Sequence, residues 1–135
     1  MRTIKFRGKA SHNGEWLYGD LINIHGEHHI LGEDDMREDG HHVTQDSDRP
    51  TWVEPDTIGQ FTSLYDKNRK EIYEGDILKA GDIELLEVRF VRGVFAFLWN
   101  GNLDEEFPTS YPTHEWAEVI GNIHDNPELL KGGEK

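Results

Sequence analysis

Helix-forming periodicity is almost absent from this chain, and that limits its folds more than any other feature. Apolar residues recur at a spacing of two, in runs of four to eight, and turn residues break the runs. Residues 3–7 alternate, with Ile4 and Phe6 on one face. Residues 16–18 and 21–24 flank Gly19-Asp20 and read as one bent strand, since an isolated glycine in a strand marks a bulge or bend. Residues 57–62 form another short strand. Residues 72–78 repeat the interrupted pattern around Gly75-Asp76. Residues 83–92 and 94–100 form a hairpin about Gly93, and residues 116–123 the last strand. One helix signal exists: Asn126-Pro127-Glu128-Leu129-Leu130 supplies a cap, a proline at the first helical position and an acid at the positive dipole end. It predicts a short C-terminal helix, with residues 131–135 as a flexible tail.

Two patterns occur twice, in the same order. Glu15 to Ile22 aligns with Glu71 to Leu78 at an offset of 56, pairing Gly19-Asp20 with Gly75-Asp76. Residues 57–62 align with residues 119–124 at an offset of 62, pairing Gly59 with Gly121. Gly-Asp turns and Ile-Gly pairs also recur by chance in β proteins. Shared order and spacing favour two related units. The expectation is therefore a mainly β fold of two small barrel-like (SH3-like) units, over residues 1–62 and 63–130. An insertion at 33–48 belongs to the first.

That insertion holds seven acidic residues and one arginine, and so carries −6 of the chain's net charge of −13. Met36 and Val43 are its only strongly apolar residues, so burial cannot repay the entropy of ordering it; a surface loop is expected. The net charge argues against binding phosphate backbones, and no direct nucleic-acid contact is expected. The chain has no cysteine, which excludes disulfides, thiolate metal sites and a cysteine nucleophile. No apolar run suits a signal peptide or a membrane span, and a cytoplasmic protein is expected.

The stretch from Pro55 to Ile77, PDTIGQFTSLYDKNRKEIYEGDI, resembles the YopX family of phage and prophage proteins. Ile4-Lys5-Phe6-Arg7, the segment from Trp16 to Gly19, and the closing run from Glu118 to Leu130 are similar to the same family. The resemblance implies a β-rich fold and an accessory role in the cytoplasm of a bacterial host, and brings no activity, cofactor or catalytic residue. Ser63 and Arg69 stand where the family usually has glycine, and are expected to alter turn geometry locally.

The candidate chemistry is sparse. His25, His28, His29, His41 and His42 lie among acids, and His28, His41 and His42 are the weak metal candidates. In an extended segment His28 and His29 point to opposite faces, which favours a solvated polar loop. Asp66-Lys67-Asn68-Arg69-Lys70 is the main basic cluster and reads best as a turn of mixed charge. Asp104-Glu105-Glu106 and His114-Glu115 offer acid–base chemistry in principle, though exposed loops are their natural place. No nucleophile elbow, phosphate loop or dinucleotide fingerprint is present, so neither catalysis nor a cofactor is expected. Trp16, Tyr65, Asp66, Asn68 and Tyr73 are the interaction candidates. Gly19, Asp20, Gly59, Gly75, Asp76 and Gly121 are the structural ones. The aromatic content further leads to an expected homo-oligomer, joined through strand edges and aromatic patches, with a host or phage protein as a further partner. The function expected is a protein-interaction or assembly module. The alternatives are an acidic decoy that mimics nucleic acid and a weak metal-dependent enzyme.

Overall fold

The structure is a computed structural model, and it describes residues 3–32, 51–81, 84–100, 106–108 and 112–132. The acidic segment 33–48, with His41 and His42, lies outside the described residues. The chain divides into two compact units, Met1–Phe61 and Thr62–Lys135.

The first unit contains β1 (Phe6–Lys9), β2 (Trp16–Ile24), β3 (Glu27–Gly32), β4 (Thr51–Trp52) and the start of β5 (Gly59–Tyr65). Its sheet is antiparallel in the order β4-β3-β2-β1-β5. A 3-10 turn at Pro55–Thr57 precedes β5. One sheet face buries Ala10, Ile30 and Val53. Gly8 lies among them because a β-carbon there would stand 3.2 Å from Val53 Cβ and 3.3 Å from Ile30 Cδ1. On the opposite face lie Arg7 and Lys9 of β1, with Lys5 just before it. The Lys5 ammonium lies 5.3 Å from the Phe61 ring, while Arg7 and Lys9 lie 4.6 and 5.5 Å from Trp16.

The second unit contains the rest of β5, then β6 (Glu71–Tyr73), β7 (Asp76–Ala80), β8 (Glu84–Val91), β9 (Val94–Trp99), β10 (Glu106–Pro108), β11 (Glu118–Asn122) and the helix α1 (Glu128–Gly132). β6 pairs with β5, and a five-stranded sheet runs in the order β10-β9-β8-β7-β11. A 3-10 turn at Pro112–Glu115 precedes β11. The core is built from Ile72, Leu78, Ala80, Leu86, Val88, Phe97 and Ala117, with Leu64, Trp99 and Val119 against it. Alternation along paired strands puts these side chains on one face: Leu78 opposes Leu86, and Val88 opposes Phe97. The other face buries Ile77, Leu98 and Glu87, whose Oε2 accepts from Arg89 Nε at 2.9 Å and Nη2 at 2.8 Å.

The mainly β expectation holds, but the barrel-like one does not. Both sheets are open, with β4, β6, β10 and β11 at their ends. The strand orders of the two units nevertheless match element for element. In each, the first strand lies between the second and the last, and a 3-10 turn precedes the last. Gly59 and Gly121 occupy corresponding strands, β5 and β11. Gly19 and Gly75 do not: Gly19 lies inside β2, whereas Gly75 forms the turn before β7, the counterpart of β1. A Gly-Asp pair lies within a regularly paired strand in one place and closes a turn in the other. At Gly75 (φ 96°) the backbone is left-handed, and Asp76 Oδ2 accepts the Tyr73 N–H at 2.7 Å, which closes the turn.

Two details differ at the C-terminus. The helix continues to Gly132, two residues into the expected tail. Asn126 does not cap it with its side chain. Asn126 Oδ1 accepts the Asn122 N–H at 3.2 Å, while its carbonyl accepts the Leu129 N–H at 3.1 Å.

Candidate docking site

The segment following β5 is organised around one buried carboxylate. Asp66 is 5% exposed, and Oδ1 accepts the N–H groups of Asn68 (2.8 Å) and Lys70 (2.9 Å). Oδ2 reaches across to the Val119 N–H at 2.9 Å. The Asp66 N–H donates to the Lys70 carbonyl, that of Arg69 to the Asp66 carbonyl, and that of Lys67 to the Ala117 carbonyl. Burial alone raises this carboxyl's pKa. The bonds from Val119, Lys70 and Asn68, with the nearby Lys70 charge, outweigh burial and hold it below the usual carboxylate range.

Sequence reasoning placed Ser63 and Arg69 as departures that reshape the turn, and the structure corrects this. Both keep the left-handed backbone that glycine would adopt, with φ of 72° and 68°. The surrounding bonds impose it. Thr62 Oγ1 donates to the Ile72 carbonyl and accepts the Leu64 N–H, and Asp66 fixes the turn on either side of Arg69.

An open cleft of about 730 Å³ lies against this turn. Ser63, Tyr65, Lys67 and Arg69 line one side, and His114 and Glu115 come from the 3-10 turn before β11. His114 Nδ1 lies 3.1 Å from the Tyr65 carbonyl. A carbonyl only accepts, so the hydrogen sits on Nδ1 and Nε2 is the nitrogen left for a ligand. The Tyr65 side chain is 49% exposed, and Trp116, next to the lining residues His114 and Glu115, is 65% exposed. Lys67 Nζ stands 4.0 Å from Glu118 Oε1, both about half exposed.

The five interaction candidates do not form one site. Tyr65, Asp66 and Asn68 share the turn, with Asp66 as its internal anchor and Tyr65 facing outward. Tyr73 is buried in the core, and its hydroxyl donates to Glu71 Oε1 at 3.0 Å. Trp16 sits in the first unit beneath Arg7 and Lys9. Asp20 is exposed on β2, and Asp76 closes the turn described above. His28 and His29 lie on opposite faces of β3. His29 stacks on Trp52 at 6.0 Å, and His28 Nδ1 is buried with no hydrogen-bond partner among the described residues. His28 borders a smaller concavity of about 380 Å³ in the first unit, with Ser11, Trp52 and Glu54. No cluster of three metal-ligating side chains occurs among the described residues. The turn's partners His114 and Glu115 were not grouped with it in sequence, because some fifty positions separate them and only the fold joins them.

The fold defines a class: an open-sheet β protein of two topologically equivalent units, with a carboxylate-centred turn in the second. A solved structure similar in fold is protein EF1440 from Enterococcus faecalis, 24% identical, with a TM-score of 0.56, covering 96% of this chain and 99% of that one. The YopX protein family model matches residues 5–131, and the chain belongs to that family. No curated protein is a significant match. No helix among the described residues is long and apolar enough to cross a membrane.

Proposed function

We propose that this chain is a phage or prophage accessory protein that acts by binding another protein, and that the cleft beside Asp66 is where the partner docks. The observation that supports this most is the exposed Tyr65 side chain in the cleft, with Lys67, Arg69 and His114 lining it on backbone that Asp66 pins, and exposed Trp116 adjacent in sequence to the lining. Tyrosine, tryptophan and arginine are the residues that most often dominate binding energy at protein interfaces. Strand addition at the neighbouring edge is disfavoured. The Ala117 carbonyl just before β11, and the Val119 and Asn122 N–H groups on it, are already bonded to Lys67, Asp66 and Asn126. Side chains, not a free strand edge, then carry recognition here.

The test is affinity retention of host proteins on the immobilised chain, comparing wild type with Tyr65→Ala/Trp116→Ala. A protein retained by wild type and lost from the double variant, with melting temperature unchanged, supports the reading. Retention by both, or by neither, refutes it.

A further inference from the structure

We propose that the partner segment this cleft takes is acidic polypeptide, and specifically residues 33–48 of a second copy of the chain; this rests on the docking reading above. The chain has 14 basic residues against 27 acidic ones, yet three of the 14 fall within four positions, at Lys67, Arg69 and Lys70. All three are exposed. Asp66 beside them is buried, with both oxygens bonded to backbone N–H groups, and its charge offsets one of the three. Residues 66–70 therefore keep a net charge of +2, of which Lys67 and Arg69 line the cleft opposite Glu115. The one ion pair that ties it down, Lys67 to Glu118 at 4.0 Å, is half exposed and long, the kind a competing carboxylate displaces at little cost. The Arg69 guanidinium has no ion pair among the described residues, and its planar fork suits a bidentate carboxylate.

The complement is in the same sequence. Residues 33–48 carry −6 and leave −7 on the rest of the chain. Its Met36 and Val43 are apolar side chains of the kind that pack on Tyr65 and Trp116. Repulsion between two acidic copies is long-ranged and falls off beyond about 8 Å at physiological salt, whereas the contacts in the cleft are shorter than that.

The experiment uses a synthetic peptide of residues 33–48 and, as receptor, the full chain with its seven acids at 33–48 changed to Asn or Gln. Its own segment then does not compete. Binding is read by fluorescence anisotropy at 0.15 M salt, and folding of each variant by circular dichroism. The peptide should bind, and Lys67→Glu/Arg69→Glu in the receptor, or Asn/Gln in place of the peptide's acids, should weaken it at least tenfold. Wild-type chain should sediment with concentration-dependent association that the charge reversal abolishes. No peptide binding, or equal binding to the reversed receptor, overturns the proposal. Peptide binding with a wild-type chain that is monomeric at every concentration also overturns it, because the segment would then fill its own chain's cleft. If the peptide fails while Tyr65→Ala/Trp116→Ala still abolishes host-protein retention, the docking reading survives and only this occupant falls.

Discussion

Asp66 should be the most sensitive polar side chain of the second unit, and Asp66→Asn isolates its charge. The substitution keeps one oxygen for the Asn68 and Lys70 N–H groups, but turns an amide N–H₂ toward the Val119 N–H, now a donor facing a donor. A hydrogen bond to a charged group contributes about 1.5–3 kcal/mol net. Losing the Val119 bond while weakening two others, which water can partly replace at exposed Asn68 and Lys70, should cost about 2–3 kcal/mol. For a unit of this size that is a fall of roughly 10–15 °C in melting temperature. The pH dependence has a definite sign. The folded carboxyl titrates below its unfolded value of about 3.9, so its contribution is complete above that value and is lost as pH falls through the lower, folded one. The gap between wild type and variant should be constant from about pH 7 to pH 5 and narrow below about pH 4. Urea unfolding followed by tryptophan fluorescence measures it. Equal midpoints at pH 7, or a gap that does not narrow in acid, would refute the carboxylate-anchor argument.

Three further outcomes follow from the backbone and the core. Arg69→Gly and Ser63→Gly should each raise stability by about 0.5–1 kcal/mol. Glycine relieves about 1–2 kcal/mol of left-handed strain and returns part of it as unfolded-chain entropy; a lower melting point in calorimetry would contradict this. Gly121→Ala should destabilise by about 1–3 kcal/mol, since its β-carbon would lie 2.5 Å from Asn126 Oδ1, the atom bonded to the Asn122 N–H; an unchanged chemical-denaturation midpoint would count against it. Phe97→Ala should cost about 3–5 kcal/mol by opening a cavity at the centre of the second core, visible as a large shift in urea midpoint with the slope unchanged.

Period-two alternation was enough to assign strands, because facing side chains in a sheet repeat every second residue whatever the topology. The hairpin at Arg92-Gly93 and the strand at residues 16–24 were legible for that local reason, and the short final helix from the equally local signals of Pro127 and Glu128 at its start. Strands of few apolar residues were not: β3 is rich in histidine, and β4 is two residues long. Their pairing comes from neighbours, not from their own pattern.

The internal repeat divides along the same line. Recurrence in sequence indicated two units, and the Ile-Gly pair at Gly59 and Gly121 fell on corresponding strands. The Gly-Asp pairs did not, because the same two residues can sit within a strand or close a turn, and hydrogen bonds elsewhere decide which. Local sequence also marked residues 66–70 as a turn. Only the tertiary structure showed that Asp66 reaches Val119 and that His114 bonds Tyr65, so that two turns far apart in sequence form one cleft. Composition and periodicity act over a few residues and therefore determine which segments are strands. A single carboxylate joining distant backbone groups acts through space, and its partners exist only once the chain has folded.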